Sequence, residues 1–129
     1  MSETELKELA KKAASKAYAP YSKFKVGSAL LTKSGNVYTG CNVENASYGL
    51  TICAERNAIA SAVNAEGEIE IDTIVVYTPT EKPTPPCGAC RQVIHEFGNP
   101  KIKSYCEGED SNTHTSEDLL PYAFDLKKD

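Results

Sequence analysis

Cys53-Ala54-Glu55-Arg56 and, further along, Pro86-Cys87-Gly88-Ala89-Cys90-Arg91 organise this chain. Each segment leads into a stretch of helical apolar periodicity, so Cys53 and Cys87 fall at helix starts and Cys87 and Cys90 share one turn. Three thiolates form a strong zinc-ligand set. Three protein ligands leave one tetrahedral position open, as catalytic sites do and closed structural sites do not. Glu55, beside Cys53, is the candidate catalytic residue, a carboxyl group placed to move a water proton. Helix N-termini carry partial positive charge, which favours thiolate over thiol. Three thiolates on one divalent ion still leave a negative centre. The chain's two arginines, Arg56 and Arg91, both lie inside these motifs, while its 12 lysines lie elsewhere. They are the candidates for zinc charge compensation, through hydrogen bonds to sulfur or carboxylate.

Working outward, the segment before Cys53 predicts a helix and a hairpin. Ser2 and Glu5 have capping-box spacing, and Leu6, Leu9, Ala10, Ala13, Ala14 and Ala17 recur at helical intervals, predicting a helix to about Tyr18 that Pro20 stops. Val26 to Leu31 reads as a strand, Ser34-Gly35-Asn36 as a turn, and Val37 to Val43 as the antiparallel partner. Asn45 to Thr51 is a polar loop. The helix opened at Cys53 turns Ala54, Ala58, Ile59, Ala62 and Val63 inward and ends near Gly67.

Ile69 to Tyr77 is a buried strand closed by Pro79, Pro83, Pro85 and Pro86. The helix opened at Cys87 carries Val93, Ile94 and Phe97 inward and stops at Gly98-Asn99-Pro100. Lys101 to Cys106 is a short strand, Glu107 to His114 a polar and mobile loop that includes His114, and Thr115 to Leu120 a last helix interrupted by Pro121. A hairpin followed by helix, strand, helix and strand predicts an α/β fold in three layers, a mixed sheet between helices.

The 129 residues suit one domain, 1–129, and 40% of them are hydrophobic. A net charge of -4 and a pI of about 5.2 exclude the basic footprint of a nucleic-acid binder. No stretch approaches the roughly 20 apolar residues of a membrane span. Met1 to Lys12 reads as a charged amphipathic segment and not as a signal peptide. Five cysteines at uneven spacing suit a metal or redox site in a cytoplasmic protein better than a disulfide framework. Cys41 and Cys106 stay outside the motif, either as small packed residues or, for one of them, as a fourth metal ligand.

Taken together these segments resemble cytidine deaminase, specifically the small homotetrameric class with three cysteine zinc ligands. The similarity runs through Tyr21-Ser22-Lys23-Phe24, Val26-Gly27, Asn42-Val43-Glu44-Asn45-Ala46-Ser47-Tyr48, both cysteine motifs through Gln92, and Leu119-Leu120-Pro121 with Phe124. The resemblance implies a cytidine-deaminase-like fold, one zinc ion per subunit on Cys53, Cys87 and Cys90, and Glu55 carrying protons. The implied reaction is hydrolytic removal of ammonia from carbon 4 of cytidine or deoxycytidine, in pyrimidine nucleoside salvage. It further implies that backbone groups near Ala54 and Cys87 read the base edge, that Asn42 and Glu44 hold the ribose, and that Phe24 packs on the nucleoside. Ala46 and Tyr48 would reach a neighbour's ribose pocket and Phe124 would cover a neighbour's base, in a homotetramer whose sites neighbouring subunits complete. Lys25 stands where the family often has proline, and Tyr122 where it commonly has a small residue.

Four other readings share parts of this pattern. They are a deaminase for another aminated pyrimidine such as a blasticidin-type antibiotic, an editor of single-stranded nucleic acid, a closed structural zinc module using Cys41 or Cys106, and a thiol redox centre at Cys87-Gly88-Ala89-Cys90. The Asn42 and Glu44 pair favours an ordinary ribose over the first, and the negative charge weighs against the second. The redox reading leaves Cys53 and Glu55 without a role.

Overall fold

Ser2 opens the first helix through a reciprocal capping box: its hydroxyl accepts from the Glu5 N–H at 3.2 Å and the Glu5 carboxylate accepts from the Ser2 N–H at 3.3 Å. In this computed structural model, which describes residues 1–126, α1 spans Glu3–Ala14 and buries Leu6, Ala10, Ala13 and Ala14. It ends short of the expected Tyr18 because that residue's backbone is used elsewhere. The Tyr18 N–H donates to Asn42 O at 3.1 Å and Tyr18 O accepts from the Glu44 N–H at 2.8 Å, an extended pairing a helix cannot offer.

Five strands follow as β1 (Gly27–Thr32), β2 (Val37–Cys41), β3 (Ile71–Tyr77), β4 (Lys101–Tyr105) and β5 (Ser111–Thr115), in the sheet order β2-β1-β3-β4-β5. Only β3 and β4 run parallel. The crossover between them contains α3 (Gly88–His95), while α2 (Ala54–Glu66) links β2 to β3 and α4 (Ser116–Leu119) follows β5.

Alternation along the strands builds two cores. Leu30, Ile74 and Ile102 pack with Ala58, Ile59, Ala62 and Ile94 of α2 and α3, whereas Ala29 and Val75 pack with Leu6, Ala10 and Ala14 of α1. The expected mixed sheet between helical layers is therefore the observed architecture. Each large side chain so buried contributes about 1.5–3 kcal/mol from removal of apolar surface. Val63, expected to face inward, is 37% exposed, because Ala62 takes the inward position.

Two glycines set how closely the layers approach. A Cβ on Gly27 would stand 1.8 Å from Ala10 O, and one on Gly40 would stand 2.4 Å from Ala58 N. Gly40 thus lets β2 lie directly against the first turns of α2. At the far end of α2, Glu66 accepts from Tyr38 Oη at 2.7 Å, Ser34 Oγ at 2.8 Å and Asn36 Nδ2 at 2.9 Å, pinning the hairpin turn.

The segment Glu107 to His114, expected to be a loop throughout, is corrected in its second half. Ser111–Thr115 is an edge strand, with His114 opposite Ile102. An edge strand is held by its backbone ladder on one side and needs no apolar period, so polar residues conceal it. The remaining turn is gathered by the buried Cys106, whose single S–H proton has two carbonyl acceptors in reach, Glu81 O at 3.4 Å and Asp110 O at 3.5 Å.

Candidate metal centre

Cys53 and Cys87 are the N-caps of α2 and α3, both extended in backbone conformation and neither using its side chain to cap. Their sulfurs are therefore free to point at a ligand while the partial positive charge of two helix ends converges on it. Cys90 lies one turn into α3 and is fully buried. The three Sγ atoms lie within 4.8 Å of one another, and Cys53 Sγ is 3.9 Å from Cys87 Sγ. Tetrahedral zinc at about 2.3 Å from each sulfur needs sulfurs about 3.8 Å apart, so the cluster fits the ion. Cys41 and Cys106 do not join it. Among the described residues the cluster is thus three cysteine sulfurs, with no fourth cysteine to close it.

The electrostatics favour the thiolate form at Cys53. Cys53 is pushed down to about 5, chiefly by a hydrogen bond from the Cys90 thiol and then by Arg56, whose Nη2 donates to Cys53 Sγ at 3.3 Å. Cys90 is pushed up, first because its proton is held in that bond and then by burial. Arg56 in turn is held further above its ordinary value by the bond to Cys53. Its Nε is buried without a partner. Of the bonds to sulfur or carboxylate expected of the two arginines, Arg56 makes one to the Cys53 sulfur, whereas the guanidinium of Arg91 bonds carbonyls. Arg91 donates from Nε to Pro86 O at 2.7 Å and from Nη1 to Leu119 O at 3.2 Å, bracing the loop before Cys87 against α4.

Glu55 is 4% exposed and lines the same recess as Cys53 and Cys87. Burial pushes its carboxyl up to about 7, with the Cys53 charge acting in the same direction and its own backbone N–H opposing. A group poised at that value gives and takes protons near neutral pH.

Phe24, Asn42 and Ala54 line this recess too, which opens beyond the carboxyl end of β3. Asn42 is buried and largely committed to its own chain, donating to Phe24 O at 2.7 Å and accepting from the Val26 N–H at 2.9 Å. It shapes the segment that presents Phe24. Glu44 lies in an adjoining recess with Tyr21, Ser22 and Tyr48, joined to the first through Thr51. The Tyr21 and Ser22 N–H groups donate to Glu44 at 3.0 and 3.1 Å, and the Ser22 hydroxyl bonds its other oxygen. That hydroxyl bond leads the causes holding the Glu44 carboxyl below the usual range.

Ala46 and Phe124 line neither recess, and both are exposed. The recess also contains residues that the sequence reading did not single out: Val26, Thr51, Val76, Thr78, Thr84 and Pro85. Thr84 and Pro85 could have been found from their place just before the Pro86-Cys87 motif. Val76 and Thr78 become visible only once β3 is paired with a parallel neighbour, since ligand crevices form at the carboxyl ends of such strands.

Residues 1–106 match the family model for the cytidine and deoxycytidylate deaminase zinc-binding region. A cytidine deaminase of Sporosarcina psychrophila is 48% identical over 117 residues, covering 88% of this chain and 85% of that protein. One of Halalkalibacterium halodurans is 50% identical over 111 residues, covering 84% and 83%. The crystal structure of cytidine deaminase from Burkholderia pseudomallei superposes with a TM-score of 0.92 at 48% identity, covering 96% of this chain and 100% of that one.

Proposed function

Because the chain belongs to the cytidine and deoxycytidylate deaminase family, we propose that it hydrolyses cytidine and deoxycytidine to uridine and deoxyuridine, releasing ammonia, in nucleoside salvage. The observation that carries this reading is a buried carboxyl group poised near neutrality in a recess lined by Cys53 and Cys87, two of three cysteine sulfurs clustered at two helix N-termini. Cys53, Cys87 and Cys90 hold the zinc ion. When bound, the ion supplies a Lewis acid that makes water a nucleophile near neutral pH.

Glu55 takes the proton of the attacking water and delivers it to ring nitrogen 3. It then carries the proton of the new carbon 4 hydroxyl to the amine as the carbon–nitrogen bond breaks and the carbonyl forms, so that one water is consumed for each ammonia released. Arg56 keeps the Cys53 sulfur anionic and lessens the charge the ligands place on the metal. Backbone groups at Ala54 and Cys87 meet the base edge, Phe24 packs on the nucleoside, and Asn42 and Glu44 face the ribose.

The chain works as a cytoplasmic homotetramer in this reading, with Ala46, Tyr48 and Phe124 completing a neighbour's site. Tyr48 at 76% and Phe124 at 66% exposure are aromatic surface that such assembly would cover. No helix among the described residues is long and apolar enough to cross a membrane.

The deciding experiment measures ammonia release from cytidine, deoxycytidine, free cytosine and blasticidin, with zinc quantified per chain and mass determined by light scattering. Turnover of the two nucleosides by protein holding one zinc per chain is the expected result. Zinc-loaded protein inert on both would refute the assignment.

A further inference from the structure

The chain beyond α4 is tied down by side chains of α3. Gln92 Nε2 donates to Phe124 O at 3.0 Å, and His95 Nε2 bonds Asp125 Oδ1 at 2.7 Å. Among the described residues no other hydrogen bond or ion pair is made by residues 121–126. The side chains on either side of this fastening point away from the subunit: Tyr122 is 105% exposed, Phe124 66% and Leu126 76%. Asp125 is itself 69% exposed, yet its carboxylate reaches the ring of His95 on α3, whose side chain is 19% exposed.

We propose that Gln92, His95 and Asp125 form a latch whose task is to hold Phe124 in place, which makes them positioning residues for nucleoside binding. The inference rests on the reading of Phe124 as a base-covering aromatic, and it holds whichever copy's recess the ring covers. Four free residues after a helix would otherwise sample many conformers, and ordering them would consume part of the stacking energy on every binding event. The latch pays that cost during folding. It is anchored on the same helix whose N-terminus carries Cys87 and Cys90, so the ring is referenced to the metal cluster through one rigid element. The carboxylate only accepts, so the imidazole donates its Nε2 proton and an amide oxygen at position 125 can replace the carboxylate.

The test compares steady-state kinetics on cytidine for the zinc-loaded full chain and its Phe124→Ala, Asp125→Ala, Asp125→Asn and Phe124→Ala/Asp125→Ala variants. Loss of the ring should raise KM by roughly 10-fold or more, the scale of one base–aromatic stack. Asp125→Ala should raise KM about threefold to tenfold with kcat within about twofold of the parent, since zinc and Glu55 are untouched. Asp125→Asn should restore the parent KM. In the Phe124→Ala background, removal of Asp125 should add nothing. If Phe124→Ala raises KM and Asp125→Ala does not, or if the two effects add, the latch is wrong and the role of Phe124 stands. If Phe124→Ala leaves KM unchanged, the base-covering reading fails and the latch falls with it.

Discussion

Gly40→Ala tests whether the metal cluster depends on a close approach of backbone to backbone. A Cβ at position 40 would stand 2.4 Å from Ala58 N and 2.6 Å from Ala54 O, both main-chain atoms of α2. No side chain can rotate to make room, and relaxing to an ordinary contact of about 3.5 Å demands a separation of roughly 1 Å between β2 and α2. The helix that moves carries Cys53 at its cap and Glu55 and Arg56 in its first turn, while Cys87 and Cys90 ride on α3.

Metal sites hold their distances to within about 0.2 Å, and a 1 Å misplacement of a catalytic group costs on the order of 100-fold in rate. Overpacking costs about 1–3 kcal/mol in stability, offset in part by about 0.5–1 kcal/mol that alanine gains over glycine in a strand. We therefore expect a net loss near 1–2 kcal/mol in denaturant unfolding, with kcat/KM on cytidine reduced by about 10- to 100-fold. Zinc retention should fall in parallel. Gly49→Ala is the control, because a Cβ there meets nothing within 4 Å. A Gly40→Ala protein with the parent's stability and kinetics would refute the reasoning, since the layers would then not be in contact through Gly40.

Zinc-loaded Glu55→Gln should keep one zinc per chain and lose at least about 100-fold in kcat; metal analysis beside an ammonia assay checks it, and retained turnover would count against the proton-carrying role. In metal-free protein the same variant reports the burial of Glu55. Its folded value of about 7 lies above the ordinary 4.5, so the penalty for ionising it is absent below pH 4.5 and grows as pH rises through 7. Relative to Glu55→Gln, the parent should lose about 3 kcal/mol across that window by denaturant titration, and a flat difference would mean that the carboxyl is not buried. Arg56→Ala should weaken zinc binding by about 10- to 100-fold in chelator competition while the fold persists. Cys106→Ala should cost about 1–2 kcal/mol in unfolding and leave one zinc per chain; loss of zinc would reinstate Cys106 as a ligand.

Elements held by local chemistry were legible in advance. The capping box at Ser2, the stop at Gly98-Asn99-Pro100 and the β-branched, buried run of β3 each depend on neighbours in sequence, and each fell within a few residues of its expected place. The misses share one cause. The last turn of α1 was lost to pairing with Asn42 and Glu44, and β5 exists because β4 offers it a ladder; both are backbone partnerships with distant segments. The aim of Arg91 belongs with them, since two carbonyls from separate segments, Pro86 and Leu119, determine where its guanidinium lies.

Residue type and spacing were enough to bring out Cys53, Cys87 and Cys90 as one cluster, because the thiols fall at or one turn into two helix starts, whereas the part given to Glu55 came from the family resemblance. Which hydroxyls and apolar groups wall the recess, how near α2 lies to β2, how strongly Glu55 is desolvated and what holds Phe124 required the packed molecule. Those properties come from the absence of water and the approach of segments far apart in the chain, and neither is written in any local stretch of residues.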